Sequence, residues 1–256
     1  MSDWLGLTIG NSRLHWAWFT DFQLIKAWDT AHLTNQIDSS ESLLKTINPW
    51  CQNIVDDKCF PVYIASVVPS QTALWRNYPN YFSLALSDIP LKNTYSTLGI
   101  DRALAVYGAG EVYGYPCLVI DAGTALTFTG VDGQKALVGG AITLGLRSQF
   151  KGLHRQTAAL PEVSLPHEVP ARWALDTPEA IASGIVYTTV SGIYDYINDW
   201  LNKFPQSSIL LTGGDSKTIE KYLNILYPQT SQKIQSDGNL VFWGMRSLKQ
   251  KNSIVS

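Results

Sequence analysis

Cysteine is scarce and odd in number: Cys51, Cys59 and Cys117 are the whole set, and no two stand as Cys-x-x-Cys. Three thiols without paired spacing make a poor disulfide framework, so free thiols in a reducing cytoplasm are expected. The four histidines, His15, His32, His154 and His167, are scattered, which argues against a zinc site. Charged residues are only 16% of the chain and the net charge is -2. No basic surplus is available to neutralise a run of phosphates, which argues against nucleic acid as a partner. Small anions held by backbone amides stay open, because that mode needs no net charge. Long apolar runs are also missing, so no bilayer span is expected. The apolar stretch from Trp4 to Phe19 is interrupted by Arg13 and His15 and lacks a basic lead-in; it reads as a strand, not a signal peptide.

What is present is a 256-residue chain with 45% apolar residues, enough for one large domain or two small ones. An internal echo favours two. Trp4-Leu5-Gly6-Leu7 runs into Thr8-Ile9-Gly10-Asn11-Ser12, and a strand follows through Leu14, Trp16 and Trp18. Cys117-Leu118-Val119-Ile120 runs into Asp121-Ala122-Gly123-Thr124-Ala125, and a strand follows through Thr127 and Thr129 to the turn Asp132-Gly133. Each copy is a strand, a glycine turn and a second strand. This predicts an N-terminal lobe over 1–115 and a C-terminal lobe over 116–256. Further elements follow from composition and end signals: a strand at Val62–Val68, a helix at Asp101–Tyr113 stopped by Gly114, a helix from Thr177 with Thr177 as its cap, a strand at Ile209–Leu211, and a helix over 217–226. The stretch from Pro161 to Pro170, with three prolines, reads as a loop.

Four motifs have chemical potential, each with a plainer alternative. A phosphate needs several converging donors, and amides in an uncrowded glycine turn supply them. Gly10 with Asn11 and Ser12, and Gly123 with Thr124 and Thr127, have that character; the alternative is two ordinary hairpin turns. Asp121 at a strand end reads as a cation ligand or as a turn cap. In Thr212-Gly213-Gly214-Asp215, paired glycines leave room for a ribose or a flat ring, while Asp215 reads as a helix cap. In Gly99-Ile100-Asp101-Arg102, Asp101 reads as a general base or a cap, and Arg102 as a bidentate partner for an anionic substrate.

The ordered set of these segments resembles type III pantothenate kinase, of the sugar-kinase and actin superfamily, over nearly the whole chain. Weaker matches fall in order between them, at Ser66-Val67-Val68-Pro69, Gly139 to Ile142, Thr157 to Pro161, and Thr177 to Gly184. The resemblance implies an α/β fold of two duplicated ribonuclease-H-like lobes with a nucleotide cleft between them. It implies ATP-dependent phosphorylation of pantothenate to 4'-phosphopantothenate, the first step of coenzyme A biosynthesis. Asp101 would accept the proton. Gly99, Ile100, Asp101, Arg102, Thr177 and, approximately, Tyr95 would contact pantothenate. ATP with Mg2+ would meet Thr8, Gly10, Asn11, Ser12, Arg13, Thr124, Gly213 and Gly214. A monovalent cation, K+ or NH4+, would sit at Asp121, and the enzyme would be a cytoplasmic homodimer.

The sequence departs from the family pattern in places. Thr8 stands where the family has Asp, and Ser12 where it has Thr. Gly140-Ala141-Ile142-Thr143-Leu144-Gly145 lacks the family's proline. Thr8 keeps open a second expectation, a catalytically weakened nucleotide- or pantothenate-binding regulator. A kinase for another small alcohol is a third.

Overall fold

The computed structural model describes residues 2–47 and 59–255; Cys51 lies outside them. In chain order the elements are β1 (Asp3–Ile9), β2 (Leu14–Thr20), β3 (Gln23–Thr30), α1 (Ser40–Ile47), β4 (Val62–Ser66), α2 (Pro69–Thr72), β5 (Tyr81–Ser83) and α3 (Ile100–Tyr113). There follow β6 (Cys117–Ala122), β7 (Ala125–Val131), β8 (Leu137–Leu144), α4 (Leu146–Gln156), α5 (Thr177–Lys203), β9 (Ser208–Thr212), α6 (Ser216–Leu226), α7 (Pro228–Ser231), β10 (Ile234–Ser236) and α8 (Leu240–Val255). They form two compact units. The first holds residues 1–90, 94–108 and 241–256; the second holds 91–93 and 109–240.

Both units are built on the same plan. The first sheet runs β3-β2-β1-β4-β5 and the second β8-β7-β6-β9-β10. In each, three antiparallel strands in chain sequence are followed by two parallel ones. The parallel strands require crossovers, and helices supply part of each. The repeated plan is the duplication that the internal echo predicted, and the α/β architecture is the one that the family resemblance implied.

In the first unit, β1 is a central strand buried on both faces, which is why its sequence is nearly continuous in apolar residues rather than alternating. Leu5, Leu7 and Ile9 join Leu14, Trp16, Trp28, Leu43, Ile64 and Trp75 in one core. The opposite face carries Trp4 stacked on Phe19 at 4.2 Å. Helix α8 closes it: Met245 and Phe242 lie against Gly6, and Gly244 lets α8 approach the backbone at Leu104 of α3. Strand β2 alternates without interruption against β1, so Phe19 falls on the face opposite Trp16 and Trp18; against β3 the register shifts between Trp18 and Phe19, where β3 carries one extra residue, Ile25.

In the second unit, β6 is the central strand. Leu118, Ile120, Phe128, Ile209 and Leu211 pack with Ile185, Val186 and Val190 of α5. Trp200, near the end of α5, lies against Gly130, where a side chain would collide with the ring. The start of α5 differs from expectation by one residue. Asp176 is the cap, its carboxylate accepting from the Glu179 amide at 2.8 Å, and Thr177 is the first helical residue. An acidic cap with Pro178 in the first turn satisfies the same exposed amides that threonine would.

Candidate functional site

The first glycine bend joins β1 to β2. The Gly10 amide donates to the Arg13 carbonyl at 3.1 Å, closing a turn whose Asn11 and Ser12 side chains are exposed. The bend is anchored on two sides. The Val67 amide donates to the Ile9 carbonyl at 3.0 Å. His32 lies 2.8 Å through Nε2 from the Gly10 carbonyl; a carbonyl only accepts, so Nε2 carries the proton. The backbone at Leu33 is in turn clasped by the Gln71 amide, which accepts from its N–H and donates to its C=O. Neither His32 nor Gln71 stood out in the sequence, because the contacts that give them a role join positions 22 and 38 residues apart.

Thr8 is 6% exposed. It pairs across the sheet with His15 and with Ala65, and His15 pairs with Asp29. Asp29 accepts from His15 Nδ1 at 2.5 Å and from Arg13 Nη1 at 2.6 Å. Burial pushes the Asp29 carboxyl up, but the hydrogen bonds and charges of His15 and Arg13 outweigh it and hold the group below its ordinary value. Arg13, expected at the nucleotide, is thus engaged with Asp29.

At the start of α3, the four residues of the predicted substrate motif gather with Tyr95. Asp101 is half-buried, and its Oδ1 accepts from the Arg102 amide at 2.8 Å. The same oxygen lies where a side chain on Gly99 would stand, so Gly99 leaves room for the carboxylate. Arg102 Nη1 donates to the Tyr95 hydroxyl at 3.2 Å, and Tyr95 is exposed.

The second unit brings three turns together around Asp121. Asp121 pairs laterally with Thr127 of β7 and Thr212 of β9, both buried. Paired residues share a face, so the carboxylate is flanked by two hydroxyl side chains. Its Oδ1 would be 3.2 Å from a side chain on Gly123 and would collide with one on Gly213, where φ is +94°. The Gly145 amide donates to the Thr124 carbonyl at 2.9 Å, and Ser148 donates to the same oxygen at 2.7 Å. Gly145 opens α4 at van der Waals limits: a side chain there would collide with the Gly123 carbonyl. Thr124 and Gly214 are exposed beside these turns.

Asp215 begins α6, but its side chain caps nothing. It is 4% exposed and accepts from Arg147 Nε at 2.6 Å and from the Arg147 amide at 3.4 Å. The expected cap is therefore an ion pair, because a buried carboxylate gains more from a guanidinium than from the helix's first amides. Thr177 belongs to a different hollow of about 880 Å³, lined by Leu153, Leu160, Leu175, Ile181 and Ile185 and mostly apolar. Among the described residues, no three of His, Cys, Asp and Glu gather as a metal cage, and no helix is long and apolar enough to cross a membrane.

The chain matches the family model described as type III pantothenate kinase over residues 4–199. It is 46% identical over 260 residues to the type III pantothenate kinase of Nostoc sp., with 96% of this chain and 94% of that protein covered. Among solved structures, a Baf family transcriptional activator from Campylobacter jejuni aligns with a TM-score of 0.63 at 20% identity, covering 97% of this chain and 98% of that one. The activator of 2-hydroxyisocaproyl-CoA dehydratase from Clostridium difficile, bound to ADPNP, aligns at 0.52 and 11% identity, covering 99% and 98%. These two similarities show the fold.

Proposed function

Because the chain belongs to the type III pantothenate kinase family, it phosphorylates pantothenate in coenzyme A biosynthesis, and we propose that Asp101 is the group that takes up the proton of the attacking alcohol. In that step the hydroxyl oxygen of pantothenate forms a bond to the γ-phosphorus of ATP. The bond to the β,γ-bridging oxygen breaks, ADP leaves, and the alcohol proton passes to the Asp101 carboxylate. The observation that carries this is the state of that carboxylate. Oδ1 is occupied by the Arg102 amide, and Oδ2 has no partner among the described residues. One oxygen is fixed and the other is open to a hydroxyl. Arg102, steadied by Tyr95, suits the carboxylate of pantothenate, with Gly99, Ile100 and Thr177 as further substrate contacts.

On this reading Gly10, Asn11, Ser12 and Arg13 of the first unit, and Thr124, Gly213 and Gly214 of the second, are the residues that meet ATP. The fit to a divalent ion is a fit to one carried on the nucleotide: position 8 offers a buried hydroxyl, not a carboxylate, and no acidic cage is built among the described residues. Mg2+ is commonly bound through substrate phosphates and its own waters. Thr8 and Ser12 are the hydroxyls that would face it, and the ion would neutralise phosphate charge. Asp121, between Thr127 and Thr212, is the oxygen-rich position for a monovalent cation, K+ or NH4+. The enzyme is a cytoplasmic homodimer on the same reading.

Asp101→Asn tests the base. We expect kcat to fall by about 10²- to 10⁴-fold, with far-ultraviolet circular dichroism and binding of an ATP analogue unchanged. Wild-type turnover by that variant would remove Asp101 from the role.

A further inference from the structure

Asp215 poses a question that the reaction leaves unanswered. It is a buried carboxylate in the turn expected to receive the nucleoside. Burying a charge is costly unless it is paired, and the partner here is Arg147, bonded through Nε at 2.6 Å and its own amide at 3.4 Å. Those two bonds use the inner edge of the arginine. The side chain is 61% exposed, and its two terminal Nη groups have no partner among the described residues. A guanidinium fixed at Nε points its outer fork in one direction, with little rotamer freedom left to lose on binding.

The surroundings define that direction. Arg147 is the second residue of α4. Gly145, two residues earlier, is hydrogen-bonded to Thr124 and lies against Gly123; Ser148, the next residue, also bonds Thr124. On its other side, Asp215 follows Gly213 and Gly214, and its amide is bonded to Ala122 at 2.9 Å. Arg147 thus stands between the second glycine bend and the paired-glycine turn, within one unit.

We propose that Arg147 contacts a phosphate of the bound nucleotide through its outer Nη pair, with Asp215 as the residue that positions it. This rests on the kinase reading above. A tie between α4 and the β9 turn needs only Nε and the amide; the solvent-facing fork matches phosphate oxygens two at a time.

The test compares the purified full chain with Arg147→Met, Arg147→Lys and Asp215→Asn. Kinetics are measured with ATP and pantothenate varied separately, and ADP binding by calorimetry. Arg147→Met should raise KM for ATP and weaken ADP binding by ~10-fold or more, with KM for pantothenate within about twofold. Arg147→Lys should fall between, since charge remains but the fork and its tether are lost. Asp215→Asn should shift KM for ATP in the same direction. Arg147→Met or Arg147→Lys with unchanged ATP and ADP parameters and a lowered melting temperature would overturn the proposal, leaving a structural tie. A wild-type chain that binds ADP yet phosphorylates no pantothenate would count against the kinase reading alone; the loss of ADP affinity in Arg147→Met would still uphold Arg147.

Discussion

Glycines of equal standing in the sequence do unequal things. A side chain on Gly10 would meet only the Arg13 carbonyl, at 3.6 Å, an ordinary contact, so the protein alone does not demand glycine there. On the proposed reading, what glycine offers at Gly10 is open approach for a phosphate of ATP. Gly145 is the reverse case. It ends the segment that lacks the family's proline, and it sits so close to the carbonyls of Gly123 and Thr124 that a methyl group must push the second bend away. Gly145→Ala is expected to cost on the order of 2 kcal/mol, about 4–8 °C in melting temperature, and to raise KM for ATP together with it. Thermal melts read against kinetics check this; an unaltered melting temperature would show that the bend yields freely.

At the scale of elements, α5 shows how local chemistry and packing share the work. Its 27 residues begin at an acidic cap and end at Lys203, which suits the helix dipole. The stop and start signals were legible: Gly114 after α3, with φ of +93°, and Thr177-Pro178-Glu179 at α5. Other elements gave no such signal, β3, β8, α4 and α8 among them. β3 is largely exposed, β8 is an edge strand with two adjacent glycines, Gly139 half-buried and Gly140 exposed, α4 follows Gly145 with no side-chain cap, and α8 follows Asp237-Gly238-Asn239, which reads equally as a turn. Their register comes from neighbours: β8 from pairing with β7, and α8 from Gly6 and Gly244. Asp176→Ala should cost about 1 kcal/mol, shifting the melting temperature by about 2–4 °C, while Asp176→Ser should largely restore it. Equal melting temperatures for Asp176→Ala and wild type would mean that Thr177 takes over the cap.

For the molecule as a whole, a repeated topology with diverged residues is the central fact. Thr8 and Asp121 occupy matching places, each two residues before a glycine bend on the central strand, yet one is a buried hydroxyl and the other a half-buried carboxylate. Exposed Trp173 and Leu175, at 88% and 102%, stand beside the hollow that Thr177 lines. Apolar side chains this exposed suit the homodimer proposed above. Sedimentation equilibrium should return twice the chain mass, and Leu175→Glu should shift it toward the single chain; a monomeric wild type would remove the dimer. The central strands, glycine bends and duplication were determined by sequence alone, since each depends on residues adjacent along the chain. The roles of His32, Gln71 and Arg147 were decided by tertiary structure: each acts through a partner 22 to 68 residues away, and a contact that distant leaves no periodicity or spacing to read.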